Sequence, residues 1–151
     1  MNKFVYLVLT FILASIFSCS KMPTNGELDG QWQLLEINTR ATESDPAFSQ
    51  TLSKKNDRIY WSFQLDLLMV QETKETPLIF ARFNHAEQFL DITKIYKNSR
   101  NEDSLITDPN TTMLIPIGIQ GNAEKFKVEK LSSKHMILTT KFKQLVFKKL
   151  G

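Results

Sequence analysis

The chain has 151 residues, 42% hydrophobic and 11% aromatic, which is enough for one packed domain and too apolar for a disordered or fibrous chain. Its net charge of +3 is spread over interleaved acids and bases. No basic stripe or nucleic-acid motif stands out, so nucleic acid is not an expected partner. The most basic run, KFKQLVFKKLG at residues 141–151, alternates lysines with apolar residues, as a strand with one solvated face does.

Lys3 supplies a charge at the start, and residues 4–17 are apolar apart from Thr10 and Ser15. Ser18 and Cys19 follow. This is the pattern of a secretory signal over residues 1–18, and it falls short of the roughly 20 apolar residues of a membrane-spanning helix. IFSC at residues 16–19 resembles the bacterial lipobox: Ile16 and Ser18 fit, and Phe17 is bulkier than the residue usual there. The resemblance implies that the Cys19 thiol receives a diacylglycerol, that cleavage occurs just before it, and that the new amino group takes a further acyl chain. Each buried CH₂ contributes about 0.8 kcal/mol, and two or three chains on one residue make a stable anchor. The membrane, reached through lipid on Cys19, is the first expected partner. Ser20 stands where an inner-membrane retention signal would have aspartate, and the first acid comes only at Glu27. The expected location is therefore the cell envelope, anchored to the outer membrane on its periplasmic face. Cys19 is the chain's one cysteine, so no disulfide supports the fold.

Residues 19–29 read as a lipidated tether rich in Pro, Thr, Asn and Gly, followed by one domain over residues 30–151. GQWQLLEINT, residues 30–39, predicts a strand. Trp32 and Leu34 share one parity and Leu35 and Ile37 the other, a switch expected of a bulge or of burial on both faces. Residues 38–57 are polar. Within them Ser44 or Asp45 as a cap, Pro46 at a first helical position, and Ala47, Phe48 and Leu52 predict a short helix. RIYWSFQLDLLMVQ, residues 58–71, reads as one long strand with Ile59, Trp61, Phe63, Leu65, Leu67 and Met69 on one face. Further strands are expected over residues 78–84 and 88–96. A long polar connection covers residues 97–112, and a bent or edge strand follows at 113–119, where Pro116 removes a donor. Three more strands are expected at 124–131, 136–142 and 143–150. About eight short strands without αβ alternation predict an all-β fold, an antiparallel eight-stranded barrel with at most one short helix.

LDGQWQLLEI, residues 28–37, resembles the Gly-x-Trp start of the lipocalin and lipocalin-like families, with Gly30, Gln31 and Trp32 in the motif. The closing KLSSKHMILTT and QLVFKKL resemble the last hairpin of small lipocalin-like lipoproteins of Bacteroidetes, with Leu131, Met136, Leu138 and Phe147 in the matching places. The resemblance implies a lipocalin-like barrel that Trp32 plugs at its closed end. It brings a fold more than a role, since the ligand varies across the family.

A small barrel of eight strands fills with side chains or holds one small ligand. Trp32, Trp61, Phe63, Leu65 and Phe83 are the candidate ligand-binding residues, and the abundance of large inward residues weighs toward filling. His85 and His135 lie near turns at no zinc-ligand spacing, so no metal is expected. There is no nucleophile elbow and no phosphate-cradling glycine loop. No catalytic residue is selected and no cofactor is implied. DSL at residues 103–105 resembles the O-glycosylation site of exported Bacteroidetes proteins, which makes Ser104 a candidate acceptor. The leading expectation is non-catalytic binding of a small apolar or amphipathic ligand. The alternatives are an envelope protein-interaction module or inhibitor using the rim loops 38–57 and 97–112, and a hydrolase with carboxylates meeting inside the barrel. Replacing Cys19 with alanine tests the anchor: the protein should lose acyl labelling and leave the membrane fraction, and a variant that stays lipid-labelled and membrane-bound would overturn the lipobox reading.

Overall fold

The computed structural model describes residues 25–72, 79–99 and 101–151. Cys19, the signal segment and the first part of the tether lie outside these residues. Among the described residues, ten strands and two 3₁₀ turns make up the regular structure. Eight strands form the ring: β1 (Gly30–Thr39), β3 (Ile59–Gln64), β4 (Leu67–Glu72), β5 (Ile79–Ala86), β6 (Phe89–Asn98), β8 (Glu124–Leu131), β9 (His135–Thr139) and β10 (Lys143–Leu150). All their pairings are antiparallel, and β10 returns to β1 to close the barrel, from Gln31 opposite Leu150 to Thr39 opposite Lys143. Closure removes the free edges that an open sheet would expose.

Two short strands lie beside this ring. β1 pairs with β3 only over Gly30–Gln33, which leaves its far half without a partner on that side. Backbone donors and acceptors in that position need partners, and β2 (Gln50–Ser53) supplies them along residues 36–39. This replaces the short helix expected around Ala47, Phe48 and Leu52. Asp45 instead closes a bend, its carboxylate accepting from Thr42 N at 3.0 Å. In the same way β7 (Asp103–Leu105) pairs with the far half of β6 and divides the long polar connection of residues 97–112.

The parity switch in the first strand is a bulge. Register with β10 shifts between Leu34 and Glu36, so Trp32 and Leu34 point inward before it and Ile37 after it. A second shift, opposite Ala81 and Arg82, lies at Lys94 on β6 and carries the inward set from Leu90 and Ile92 to Ile95.

The long strand expected over residues 58–71 is a hairpin. The chain reverses through Leu65 and Asp66, with Gln64 opposite Leu67. A two-residue loop inverts the parity of the inward face. Ile59, Trp61 and Phe63 are buried before the turn, and Leu68 and Val70 after it. Leu65, expected inside, is 57% exposed at the turn tip, and Leu67 is also exposed. Leu65 holds φ at +56°, a conformation that bulky side chains rarely adopt. Three bonds keep the turn in place: Asn25 Nδ2 donates to Leu65 O at 2.7 Å, Phe83 N to Asp66 O at 3.0 Å, and Arg82 pairs with Asp66 at 2.7 Å.

Segments outside the strands close the ends of the barrel. At the start of β1, the turn η1 (Gly26–Leu28) buries Leu28, a residue expected in the tether. Trp32 Nε1 donates to Leu28 O at 2.8 Å. Lys149 Nζ lies 5.0 Å from the centre of the Trp32 ring and donates to Glu27 O at 2.7 Å. At the far end of β1, the segment expected to be a bent strand is the turn η2 (Ile115–Ile117), flanked by buried Leu114 and Ile119. Gly118 ends it at φ +97°, where a Cβ would lie 3.0 Å from the Leu145 side chain. Trp61 Nε1 donates to Ile117 O at 3.1 Å.

Glu124 and Lys143 form an ion pair at 2.7 Å with 12% and 11% side-chain exposure. Gln120 N donates to the same carboxylate oxygen at 2.7 Å. Burial raises the Glu124 carboxyl above its usual range and lowers the Lys143 ammonium, each against the attraction of the other.

Two predictions follow from this geometry. Leu65→Gly relieves the positive φ at an exposed tip. The gain, after the larger unfolded-state entropy of glycine, is about 0.5–1 kcal/mol, readable as a higher urea midpoint; a lower midpoint would overturn the account of the turn. Lys143→Met leaves Glu124 buried without its cation and should cost about 3–5 kcal/mol at neutral pH, whereas adding Glu124→Leu should recover most of that loss. In the single variant the folded-state pKa of Glu124 stays above its unfolded value, so the folded state binds the proton more tightly. The deficit therefore shrinks as pH falls through that raised value; a deficit independent of pH would show that the carboxylate is not its source.

Candidate functional site: a groove on the barrel wall

The inward residues named as ligand contacts are inside the barrel, packed against one another. Trp32 and Trp61 are fully buried and sit opposite each other on β1 and β3. The Trp61 ring centre lies 5.1 Å from Phe147 and 6.2 Å from both Phe63 and Phe126. Phe63 meets Phe83 edge-on at 5.1 Å. Such tilted and edge-to-face contacts are favourable aromatic geometries, and a guest touching these rings would have to displace them. Leu65 is not part of this cluster.

A concave surface forms on the outside of the wall instead. Register aligns Phe89 on β6, Lys127 on β8, Thr139 on β9, Gln144 on β10 and Asn38 on β1 in one row across the strands. At the spacing of neighbouring strands the row spans about 19 Å. A register shift between Val128 and Lys130 bends β8 along it. The resulting open groove has a volume of about 840 Å³. Ile137, Thr139 and Gln144 form its floor, and Phe48 and Phe89 give it apolar sides. Phe48 comes from the 40–49 connection, where the Arg40 guanidinium stacks 5.0 Å from its ring centre. Arg40 Nη1 also donates to Asp45 O at 3.1 Å, and its Nε donates to Lys141 O at 2.5 Å. These bonds tie the connection to the β9–β10 turn. Lys125 Nζ lies 4.8 Å from the Phe89 ring centre.

The charge of the groove is one-sided. Arg40, Lys125, Lys127, Lys130 and Lys141 line it against one carboxylate, Glu129. That carboxylate is already engaged: Lys127 pairs with it at 3.0 Å and Thr139 Oγ1 lies at 3.1 Å. The hydrogen bond from Lys127 holds the Glu129 carboxyl below its usual range. At the β1 end, Asn38 Nδ2 donates to Gln144 Oε1 at 3.1 Å, and Asn38 Oδ1 is buried with no donor among the described residues.

A second, smaller concavity of about 530 Å³ lies at the far end of β1, between Ile37, Leu52, Ile115 and Pro116. Leu52 and Ile115 are both at least half exposed there. Ser104 is exposed on β7, opposite Lys97 on β6. His85 is half-buried near the β5–β6 turn, where burial lowers its pKa, and His135 is exposed at the start of β9. Among the described residues no three His, Cys, Asp or Glu side chains gather so that they could hold a metal ion.

Sequence reasoning missed the groove because its members come from four strands and a connection. The alternating lysines of residues 124–131 were legible as a solvated face, and their signal was one of charge alone. The apolar residues that make this face a groove, Phe48, Phe89 and Ile137, belong to segments that the sequence does not place side by side.

The model of the lipocalin-like domain family matches residues 11–150. No curated protein matches the chain. Among solved structures, a lipocalin-like protein from Bacteroides uniformis superposes with a TM-score of 0.56 at 18% identity, over 83% of this chain and 100% of its own. An uncharacterized protein from Bacteroides eggerthii gives 0.53 at 18% identity, over 82% and 99%. At such identities the structures speak for the fold. With the match over nearly the whole length and the closed eight-stranded ring, the chain belongs to the lipocalin-like domain family.

Proposed function

We propose that this chain is a cell-envelope lipoprotein, held to the outer membrane through lipid on Cys19, whose barrel binds a small apolar or amphipathic ligand without catalysis. The supporting observation is the wall groove, where Phe48, Phe89 and Ile137 present apolar surface to solvent beside cationic side chains. Ligand sites combine such apolar surface with a few polar groups that fix orientation. The interior offers less, because its aromatic side chains already satisfy one another. Ser104, exposed on β7, is open to the proposed glycosylation.

A protein-binding reading is favoured by one other observation, the exposed Leu52 and Ile115 around the smaller concavity at the rim. Native mass spectrometry of the full chain, extracted from envelopes in neutral detergent, separates the two. A small-molecule adduct that disappears in Ile137→Asn supports the groove. A stable protein adduct with no small ligand overturns it in favour of the rim. An adduct untouched by Ile137→Asn places binding elsewhere and also overturns the groove.

A further inference from the structure

The chemistry of the groove narrows the ligand class. The cations that line it are not equally free. Arg40 is committed to two backbone carbonyls. Lys127 is engaged by Glu129 at 3.0 Å, and Lys141 lies 3.5 Å from Glu43. Lys125 and Lys130 make no ion pair among the described residues, and both project from the outer face of β8 into the groove. Lys130 is directly opposite Ile137 on β9, so an unpaired ammonium stands beside the apolar floor. Lys125 stands over the Phe89 ring. The groove therefore offers an apolar track with an excess of positive charge along the β8 side: Glu129, the one carboxylate in its lining, is engaged by Lys127, and Asp91 on β6 stands opposite Lys125 in register without forming an ion pair with it.

Resting on the reading of this groove as a ligand site, we propose that it selects amphiphiles with an anionic head on a single apolar chain. The chain lies over Ile137 between Phe48 and Phe89, and Lys125 and Lys130 hold the head. A neutral amphiphile would bury the same apolar surface and leave both ammonium groups unmatched; a cationic one would be repelled. A fatty-acid carboxylate and a phosphate head share the required chemistry.

Photo-crosslinking of the full chain in neutral detergent tests this, with diazirine-bearing octanoate, octyl phosphate and octyl glucoside as probes and mass spectrometry to locate the labelled peptides. Either anionic probe should label the peptides of Phe48, Phe89 and Ile137 on the order of tenfold more than the glucoside, and the preference should shrink at high salt as the screening length contracts. The stronger of the two anionic probes names the head. Lys125→Glu with Lys130→Glu should bring anionic labelling down to that of the glucoside, and a preference that survives the double change would overturn the assignment of the head to these lysines; both side chains are exposed, so the fold tolerates the change. Equal labelling of the groove by all three probes would overturn the anionic selectivity and leave the groove as a ligand site. Labelling of the groove by none of them would overturn the ligand site itself.

Discussion

Two indole N–H groups organise this barrel. Trp32 and Trp61 face each other across β1 and β3, both wholly buried, and each carries a donor that the dry interior must satisfy. Neither finds its partner in the sheet, whose carbonyls are taken up by strand pairing. Trp32 reaches Leu28 in the turn before β1, and Trp61 reaches Ile117 in the turn that covers β1's far end. One requirement thus fixes both closures. The rest of the interior follows from the same two rings, since Phe63, Phe126 and Phe147 pack around Trp61.

Filling the inside changes what the outside can be. When the inward side chains satisfy one another, the outward set is free to carry chemistry, and the curvature of the wall decides where. The bulge at Glu129 and the connection held down by Arg40 make the outer face of β8, β9 and β10 concave. A row of alternating lysines that would be an ordinary solvated face on a flat sheet becomes one side of a groove. The buried Glu124–Lys143 pair lies on the opposite side of the same strands, where its charges face each other and not a ligand.

Most of the ring was legible in the sequence, because burial on one face forces a period of two. Phe126, Met136, Leu138, Leu145 and Phe147 are all inside, as their alternation demands, and of the bulge, twist or two-faced burial that the parity switch after Leu34 left open, the register shows a bulge. The reading failed where a turn carried a single turn-forming residue, Asp66, inside an apolar alternation. Leu65 and Asp66 reverse the chain without glycine, asparagine or proline, so the alternation ran on unbroken across a hairpin and put Leu65, Leu67 and Met69 on the wrong face. It failed again where tertiary demand overrode local preference: residues 50–53 became a strand because β1 had an unpaired half, and residues 113–119 became a plug because the barrel end needed covering. The groove was not legible at all. It depends on register across four strands and on a connection folded against them, a relation that no local pattern encodes.

The seam between β1 and β10 joins Gln31 to Leu150, almost the two ends of the described chain. β1 and β10 are the first and last strands of the described chain, so one edge of β1 stays open until β10 docks. Its lower half can pair with β3 early, but its other side has no partner other than β10. Loss of even the last few residues would leave the barrel unsealed beside Trp32, where Lys149 also fastens η1. Sealing of the barrel therefore depends on a pairing between segments far apart in sequence, the kind of contact that forms slowly. Until β10 docks, β1 presents an unpaired strand edge, the kind of surface on which chains aggregate.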